Sequence, residues 1–583
     1  MAIYRSDQAV VTFASEAALG GYRESGVSNG TASGSGTLAA AANAGDRSFS
    51  SGTAFTAGQY VAIGTVGSGA TQQEVEVRRV ISKLEAGTND TYYIDAPLAA
   101  YHASGQTVKV VTEATDTDND KQITYIPGVY DTVTVPDFTP TIEPRYYLGT
   151  AAKRNFTAAY KGTQTYSGSV SSFILLNGWP LRFPLGRINT VMSGTTDTAS
   201  ALDGAHKKGD YFLLLASGTS SNISQHDYVQ IGTGITAEVV RVISSVSAHK
   251  IRISDPLKFD HATSAAVTPM NGSTGAVNYF THTIHEENVL DSISMNVHMR
   301  DSGETAANDF DRRFYGGKVG AATLSAEEGG LLVMGWDTIP FMGGVHNQKL
   351  DSNFSGSEAL PFFSHFQKVE SDNIGSRTGT SSALAYPTQD PYYFSQGTVS
   401  LFGQTFARIR NFSLSINNNV EPRYYIERRG DSRQRGPNDL VEMRREYTMS
   451  ATVTLPDSEA SLTGSTASLF KELLLEGDYG LADGTNSGMK GFAIQLTFNK
   501  GAIMTGVNGA AIADVDHKIT IDIPTDGVVG GMDVAAATGL NNAGAFLTEA
   551  PHPIDGSSPF EVSAGFMFRN MGITIVDNQP LYP

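Results

Sequence analysis

Stretches in which every second residue is apolar recur along the chain. Residues 293–299 and 492–498 show this period of two, and residues 165–170 and 446–451 alternate in the same way. Such alternation is typical of a strand that buries one face and exposes the other. The pattern therefore predicts a chain built mainly from half-buried strands.

Short apolar stretches that end in glycine follow two of these strands. They cover residues 173–178 in the first half and 469–477 in the second. Ser468 suits an N-cap and Gly477 suits the position after a helix. We expect one short helix in each half.

A five-residue motif occurs twice. Glu143-Pro144-Arg145-Tyr146-Tyr147 returns as Glu421-Pro422-Arg423-Tyr424-Tyr425, and 421 minus 143 is 278. The segments after each copy also match in order and in type, as an internal duplication requires. The sequence thus predicts two homologous halves.

A second repeat lies inside the first half. Segments 60–64 and 74–82, with His102, return as 228–232 and 238–244, with His261. Short strands with Gly-rich turns indicate a small all-β module of roughly sixty residues, a size at which an isolated core is marginal. We expect both modules to pack against the main body and to depend on it for stability.

These patterns set domain boundaries. We expect an N-terminal arm at 1–50, a small β-module at 51–115, a first main domain at 116–190 with 275–345, a second small β-module inserted at 200–272, a linker at 346–390 and a second main domain at 391–583.

Composition narrows the function. Of 583 residues, 40% are hydrophobic, 17% are charged and 61 are glycine, which indicates a turn-rich β protein. The absence of cysteine excludes disulfides and thiolate nucleophiles. The N-terminus lacks a basic stretch before an apolar core and no long apolar run occurs, so we expect neither a signal peptide nor a membrane span. A net charge of -18 argues against tight phosphate binding.

Three motifs imitate chemical sites. His282, His285 and Glu286 have the wrong spacing for a zinc helix, because two histidines three apart on a strand face opposite sides. Residues 116–120 begin like a calcium loop, but Lys121 stands where glycine is needed. Residues 26–30 match a nucleophile elbow inside a Gly/Ser-rich stretch without flanking strand or helix. We therefore expect no catalytic residue, no metal and no cofactor, and hence no enzyme.

Two regions resemble the tail tube proteins of tailed bacteriophages. They are residues 405–425 followed by 441–447, and residues 314–319 leading into 325–330. The resemblance spans roughly residues 120–345 and 390–583, without the small modules. It implies two tandem tail-tube β-sandwich domains, each with one short helix, and the small modules add two inserted all-β units.

The resemblance also implies a function and partners. Six such domains close a ring and rings stack into a hollow tube for genome delivery, so three chains would form a pseudo-hexameric ring; a hexamer of whole chains is the alternative. The expected partners are other copies, the tape measure, terminator and baseplate proteins, a sheath where the tail has one, and DNA in transit. The location is the virion tail after assembly in the host cytoplasm. The alternative function is a baseplate or adhesin component whose small modules bind glycans.

Two groups of residues are candidate surfaces. For contacts between subunits or between the halves, the candidates are Glu143, Arg145, Tyr146, Tyr147, Glu421, Arg423, Tyr424, Tyr425, Arg428, Arg429, Arg433 and Arg435. For the lumen, the candidates are Ser292, Ser294, Asn296, Gln495, Thr497 and Asn499. An acidic lumen is a further hypothesis, because it would repel phosphate.

Overall fold

The chain is mainly β, as predicted. The computed structural model describes residues 9–21, 32–64, 76–111, 124–130, 132–137, 139–146, 156, 158–194, 196–216, 223, 227–247, 249–270, 278–299, 310–346, 384–385, 390–401, 404–406, 409–426, 435–454, 493–504, 511–525, 528–529, 532–533, 544–549, 551 and 561–578.

The strands are numbered in chain order. The first part of the chain supplies β1 (Ala9–Ser15), β2 (Ala32–Thr37), β3 (Ser48–Ser51), β4 (Tyr60–Ile63), β5 (Glu76–Leu84), β6 (Asp90–Ile94), β7 (Thr107–Val111), β8 (Thr124–Tyr125), β9 (Val129–Tyr130), β10 (Val133–Thr134), β11 (Ile142–Arg145), β12 (Ala158–Lys161), β13 (Tyr166–Ile174) and β14 (Gly186–Gly194). The middle supplies β15 (Ser200–Ala201), β16 (Phe212–Leu214), β17 (Tyr228–Ile231), β18 (Glu238–Ser247), β19 (Lys250–Ile253), β20 (Ala266–Pro269), β21 (Asn278–Glu286), β22 (Ile293–Met299), β23 (Phe310–Gly317), β24 (Ala321–Glu327), β25 (Val333–Phe341), β26 (Gly343–His346) and β27 (Leu384–Ala385). The last part supplies β28 (Gly397–Leu401), β29 (Gln404–Phe406), β30 (Ile409–Asn417), β31 (Glu421–Arg423), β32 (Asp439–Val441), β33 (Glu446–Thr454), β34 (Ile494–Met504), β35 (Ala511–Ile523), β36 (Val528–Val529), β37 (Met532–Asp533), β38 (Ala545–Glu549), β39 (Glu561–Phe568) and β40 (Gly572–Asp577).

Three sheets form the body. The largest has nine strands in the order β10-β13-β25-β24-β30-β33-β39-β38, with β9 also paired to β13. A seven-stranded sheet runs β14-β21-β40-β35-β34-β28-β29, and a six-stranded sheet runs β26-β23-β22-β1-β8-β27. Strands from both halves of the chain therefore share the two larger sheets.

The body has one main core. A single apolar cluster includes Trp336 of the nine-stranded sheet, Phe13 of the six-stranded sheet and Ile573 of the seven-stranded sheet. The rings of Phe13 and Trp336 meet edge to face with centroids 5.1 Å apart. Because the alternating strands turn their apolar side chains to this cluster, the three sheets pack as β-sandwich layers.

One short helix lies at the centre of this core. Helix α1 (Arg182–Leu185) follows a 3-10 turn at Trp179–Leu181 that contains Pro180 at its start. It ends at Gly186, whose φ of +108° disfavours other residues. The sequence placed this helix at 173–178, but β13 continues to Ile174. The predicted second helix at 469–477 lies outside the described residues.

Two small closed barrels are attached to the body. Barrel one has the strand order β2-β7-β4-β5-β6-β3, and a bridge between Leu38 and Ser51 joins its two end strands. Barrel two has the order β15-β20-β17-β18-β19-β16, and a bridge between Leu202 and Leu215 joins its ends. Each barrel has its own apolar cluster. The predicted small all-β modules are thus confirmed as barrels.

Barrel one begins earlier than the expected module. Its strands β2 and β3 lie between residues 32 and 51, and β1 pairs along its full length with β22. The expectation of an arm at 1–50 therefore differs from the structure, because the Ser- and Gly-rich positions 32–37 form a strand rather than a linker. Among the described residues, no helix has the length and hydrophobicity needed to cross a membrane.

Candidate functional site: assembly and lumen surfaces

The two halves of the chain are joined strand to strand. β24 of the first half pairs with β30 of the second from Ala321↔Asn417 to Glu327↔Asn411. In the seven-stranded sheet, β21 pairs with β40 from Phe280↔Asp577 to His285↔Gly572. Both junctions consist of main-chain hydrogen bonds between paired strands. The two halves therefore share continuous β-sheets and are not separate domains joined by a linker.

The same order of strands occurs on both sides of the first junction. The first half contributes β10-β13-β25-β24 and the second contributes β30-β33-β39-β38. Gly168 pairs with Ile339 as Met449 pairs with Phe566. In both halves the strand before the five-residue motif lies beside the strand that follows its hairpin. The halves are therefore alike in topology as well as in sequence.

The outer face of the nine-stranded sheet is rich in hydroxyl groups. Alternate side chains of β24, β30 and β33 are buried, and the others are exposed or half-buried. Ser325 pairs with Ser413, which pairs with Ser450 on its other side. The face also carries the following Ser, Thr and Asn residues: Ser167, Ser169, Ser171, Thr323, Ser415, Asn417, Thr448, Thr452 and Ser563. Apart from Asp337 in the middle of β25, the described residues place no charged side chain at the centre of this face.

Apart from Asp337, the charged side chains on this face lie towards the strand ends. Arg410 pairs with Glu328 at 3.0 Å and with Glu561 at 2.8 Å, so its charge is balanced. Asp337 accepts a hydrogen bond from Thr323 Oγ1 at 2.7 Å, yet burial raises the pKa of Asp337. This face thus carries a few carboxylates around a hydroxyl surface, and the acidic lumen stays a hypothesis.

The predicted lumen residues lie on two other sheets. Ser292, Ser294 and Asn296 are buried within the chain, with exposed fractions of 6%, 1% and 1%. Asn296 Oδ1 accepts a hydrogen bond from Arg313 Nε at 2.6 Å. Since these side chains do not reach solvent, this part of the lumen prediction differs from the structure: alternation marked the right face as polar, but other parts of the chain cover that face.

The second group of predicted lumen residues is accessible. On β34, Gln495 and Asn499 are exposed and Thr497 is half-buried. The intervening Ile494, Leu496 and Phe498 are buried in the main core. The period of two thus distinguished the two faces of β34 correctly, and whether its polar face lines a lumen stays a prediction.

Both copies of the five-residue motif start a two-stranded hairpin. In hairpin one, formed by β11 and β12, Pro144 faces Ala159. In hairpin two, formed by β31 and β32, Pro422 faces Leu440. Each motif carries the same ion pair along its strand. Arg145 lies 2.7 Å from Glu143, and Arg423 lies 2.7 Å from Glu421.

Hairpin two contacts the first half of the chain. Tyr424 Oη donates a hydrogen bond to Gln164 O at 3.1 Å, and Gln164 N donates to Arg435 O at 3.0 Å. Burial, followed by the nearby Tyr424, raises the pKa of Tyr166. Tyr424 and Arg435 therefore lie at a contact between the halves, one of the two alternatives that the sequence left open.

The second strand of hairpin two, β32, is anchored by a buried lysine. Lys318 Nζ donates to Leu440 O at 2.9 Å and pairs with Glu442 at 2.7 Å. Glu442 also accepts a hydrogen bond from Leu290 N at 3.0 Å. Sequence reasoning missed Gln164, Lys318 and Glu442, because a single lysine or glutamate between strands carries no pattern that reveals a distant partner.

Hairpin one is open to solvent. Its large exposed side chains are Ile142 at 64%, Tyr146 at 66%, Phe156 at 57% and Tyr160 at 52%. Hairpin two buries Leu440, which is 1% exposed, but leaves Ile426 fully exposed. Tyr425 is exposed as well, at 58%. The predicted residues Tyr147, Arg428, Arg429 and Arg433 lie outside the described residues.

The motifs that imitated chemical sites serve packing where the structure describes them. His282 is buried and its Nδ1 lies 2.9 Å from Thr190 Oγ1. Burial lowers the pKa of His285, although its hydrogen bond with the main-chain oxygen of Glu286 acts in the opposite direction. No group of three His, Asp or Glu side chains within the described ranges has the arrangement of a metal site.

Comparison with known proteins decides the family. The family model described as phage tail tube protein matches residues 94–566, which is most of the chain. The chain belongs to the phage tail tube protein family. No curated protein matches the chain. The resemblance drawn from the repeated motif and its neighbouring segments is confirmed.

The match places this tail tube protein among the structural parts of a phage tail. It begins at Ile94, the last residue of β6, and runs to Phe566 within β39. It therefore includes barrel two, both hairpins and nearly all of the nine-stranded sheet. The family supports a place in the virion tail and a structural role, with assembly to itself and to other tail proteins.

Proposed function

We propose that this chain is the major tail tube subunit and that its rings stack into a hollow tube that delivers the genome. The observation that supports this most strongly is the β24–β30 junction within one chain. Because the two halves contribute like strand orders, β38 of one copy can meet β10 of the next in the same manner. Joining sheet ends in this way removes open edges and closes a barrel.

Three chains per ring fit this arrangement. Each chain brings two like halves, so three chains give a pseudo-sixfold ring; a ring of six whole chains is the alternative. We also propose that the two halves arose by internal duplication, since they share motif, hairpin and strand order. The proposed partners are other copies, the tape measure, terminator and baseplate proteins, a sheath where the tail has one, and DNA in transit, with assembly in the host cytoplasm.

The lumen wall is proposed to be the hydroxyl face of the nine-stranded sheet. Phosphates bind proteins chiefly through Lys and Arg, and each such contact adds to affinity. A surface led by Ser325, Ser413 and Ser450 offers no cation in its middle, so DNA would pass without being held. The alternative is that Gln495, Thr497 and Asn499 line the lumen.

The adhesin alternative finds less support. Glycan binding by the barrels needs aromatic side chains clustered on one exposed face. Among the described barrel residues, the large exposed apolar side chains are Tyr101 and Ile235, one on each barrel.

Electron microscopy of the purified protein at increasing concentration tests the proposal. We expect stacked rings of uniform bore, with Ser413 and Ser450 on the inner wall. Rings whose inner wall is formed by Gln495 and Asn499 would keep the function but reverse the choice of sheet. Solid filaments, or a protein that forms no ring even when seeded with tail assembly intermediates, would contradict the function itself.

A further inference from the structure

We propose that hairpin one is the part of the chain that binds a neighbouring copy, and that it binds the second half of that copy where hairpin two binds the first half of its own chain. The inference rests on the proposed function and adds to it the residues of the contact. It assigns different roles to two copies of a motif whose five residues are identical.

The first step is the correspondence between the hairpins. Pro144 faces Ala159, and Pro422 faces Leu440. Ala159 lies seven positions before Tyr166, as Leu440 lies seven before Tyr447. Tyr166 is the first residue of β13 and Tyr447 is the second residue of β33, the strands that follow the two hairpins.

The second step is the observed contact inside the chain. Hairpin two follows β30, the strand that joins the second half to the first, and its Tyr424 reaches the main chain at Gln164, just before β13. The approach is close: a Cβ added at Gly436 would lie 2.9 Å from Met342 O and 3.0 Å from the Tyr166 ring. A surface for such a hairpin therefore exists at the start of the strand after the motif.

The third step applies the same geometry between copies. Hairpin one follows β10, which is at one end of the described strand order, whereas β38 is at the other end. If β38 of one copy meets β10 of the next, hairpin one reaches the start of β33 in the neighbour. There Arg445 holds the position that corresponds to Gln164, and Arg444 the position that corresponds to Thr163.

The exposed surface of hairpin one agrees with this role. Ile142, Tyr146 and Tyr160 are all more than half exposed. Exposed apolar surface often marks a site of interaction with another protein. Tyrosine is also among the residues that contribute most to interfaces. Tyr424, the counterpart of Tyr146, is less exposed at 40% because it already contacts the first half.

Cysteine cross-linking tests the inference, since the chain contains no cysteine. The test variant carries Tyr146→Cys with Arg444→Cys, and the matched control carries Tyr424→Cys with Thr163→Cys. All four residues are exposed, so the substitutions leave the core intact. Each variant is assembled, treated with a short bismaleimide and separated under denaturing conditions, and tube formation is scored by microscopy.

We expect the test variant to give bands of two and three chains and the control to give an internal link within one chain. The single Tyr146→Cys and Arg444→Cys variants should stay monomeric on the gel. If the test variant forms tubes without links between its two introduced thiols, the inference is overturned and the proposed function stands. A chain that never assembles would overturn the proposed function as well.

A second measurement separates contact from folding. Tyr146→Ser should raise the protein concentration needed for tube formation by about tenfold, the scale of a modest interface contact. Its thermal unfolding should match that of the unsubstituted protein, because Tyr146 is 66% exposed. Unchanged assembly of Tyr146→Ser would argue against the inference.

Discussion

In each barrel a buried glutamate and a histidine hold the equivalent loop, but the charged residues around this pair differ between the barrels. In barrel one, Glu76 accepts hydrogen bonds from Ala99 N at 2.8 Å and Ala100 N at 3.1 Å, and lies 2.6 Å from His102 Nε2. In barrel two, Glu238 accepts from Lys258 N at 2.9 Å and Phe259 N at 3.3 Å, and lies 2.7 Å from His261 Nε2. We call this contact the Glu–His latch.

One difference between the latches lies two positions along the strand from the glutamate. Barrel one has Arg78, whose guanidinium lies 2.6 Å from Glu76 and also donates to Pro97 O. Barrel two has Val240 at that position, which joins its apolar cluster. Burial raises the pKa of Glu76, but Arg78 and the bond from His102 lower it further, so the net shift is downward. One fold thus tolerates two solutions to a buried carboxylate.

Removing Arg78 should produce the largest difference between the barrels. Arg78→Met leaves the buried Glu76 without its guanidinium, and breaking such a pair costs roughly 3–5 kcal/mol. Hydrogen exchange of β5 and β6 peptides should rise accordingly, whereas barrel two peptides stay unchanged. An equal rise in hydrogen exchange in both barrels would mean that the loss of stability is not confined to barrel one and affects the body as well.

A pH series on Glu16 tests how the barrels are attached to the body. Burial raises the pKa of Glu16 to about 7, although the amides of Gly316 and Gly20 donate to its carboxylate. A carboxyl with a raised folded pKa gives stability that is present below pH 4.5 and is lost as the pH rises through about 7.

The shift from 4.5 to about 7 corresponds to about 3 kcal/mol. We expect the unsubstituted protein to lose stability relative to Glu16→Gln between pH 5 and pH 7, as measured by thermal unfolding at each pH. Parallel profiles for the two proteins would show that Glu16 is ionised throughout.

Replacing the histidine of each latch tests whether Arg78 makes the Glu76 carboxylate less dependent on its histidine. His261→Leu should destabilise barrel two by about 2 kcal/mol, the scale of a hydrogen bond to a buried charged group. His102→Leu should cost about half as much in barrel one, because Arg78 still balances Glu76. Hydrogen exchange of 256–261 and 97–102 measures the two effects, and a larger effect in barrel one would reverse the comparison.

The smallest expected effect concerns two matching glycines. Gly45 and Gly209 have φ angles of +90° and +97° and both face the segment after β1. A Cβ at Gly209 would lie 3.1 Å from Ala17 O, whereas one at Gly45 would lie 3.5 Å from Ala18 Cβ. Alanine should cost about 1 kcal/mol at both sites through backbone strain, and more at Gly209. Thermal unfolding of the two variants measures the loss of stability at each site. Equal losses would mean that backbone strain, and not the close contact at Gly209, accounts for the whole effect.

Local patterns predicted much of the fold. Alternation identified the two faces of β34, and the repeat of His102 by His261 marked equivalent positions in the two barrels. These signals depend on residues close together in the sequence, so they can be recognised without the structure. The position of helix α1 was wrong because Leu175 and Leu176 belong to a short apolar stretch that ends in glycine, which was read as a helix, although they are buried after the end of β13.

The site was predicted less well, for a physical reason. Ser294 and Asn296 are small and polar, as a wet surface requires, but tertiary packing buries them. Likewise, the contact of Tyr424 with Gln164 joins residues 260 positions apart. The hydroxyl face of β24, β30 and β33 was also overlooked, although its alternation is readable, because period alone does not show which sheets become continuous.

The β24–β30 junction changes how assembly depends on dilution. Since both strands belong to one polypeptide, this seam forms at the high effective concentration of a tethered pair. In the proposed ring, only the seam between separate chains would respond to the protein concentration. A tube made this way would have half of its lateral seams already closed when each subunit arrives, so growth would need fewer simultaneous collisions than a ring of six separate domains.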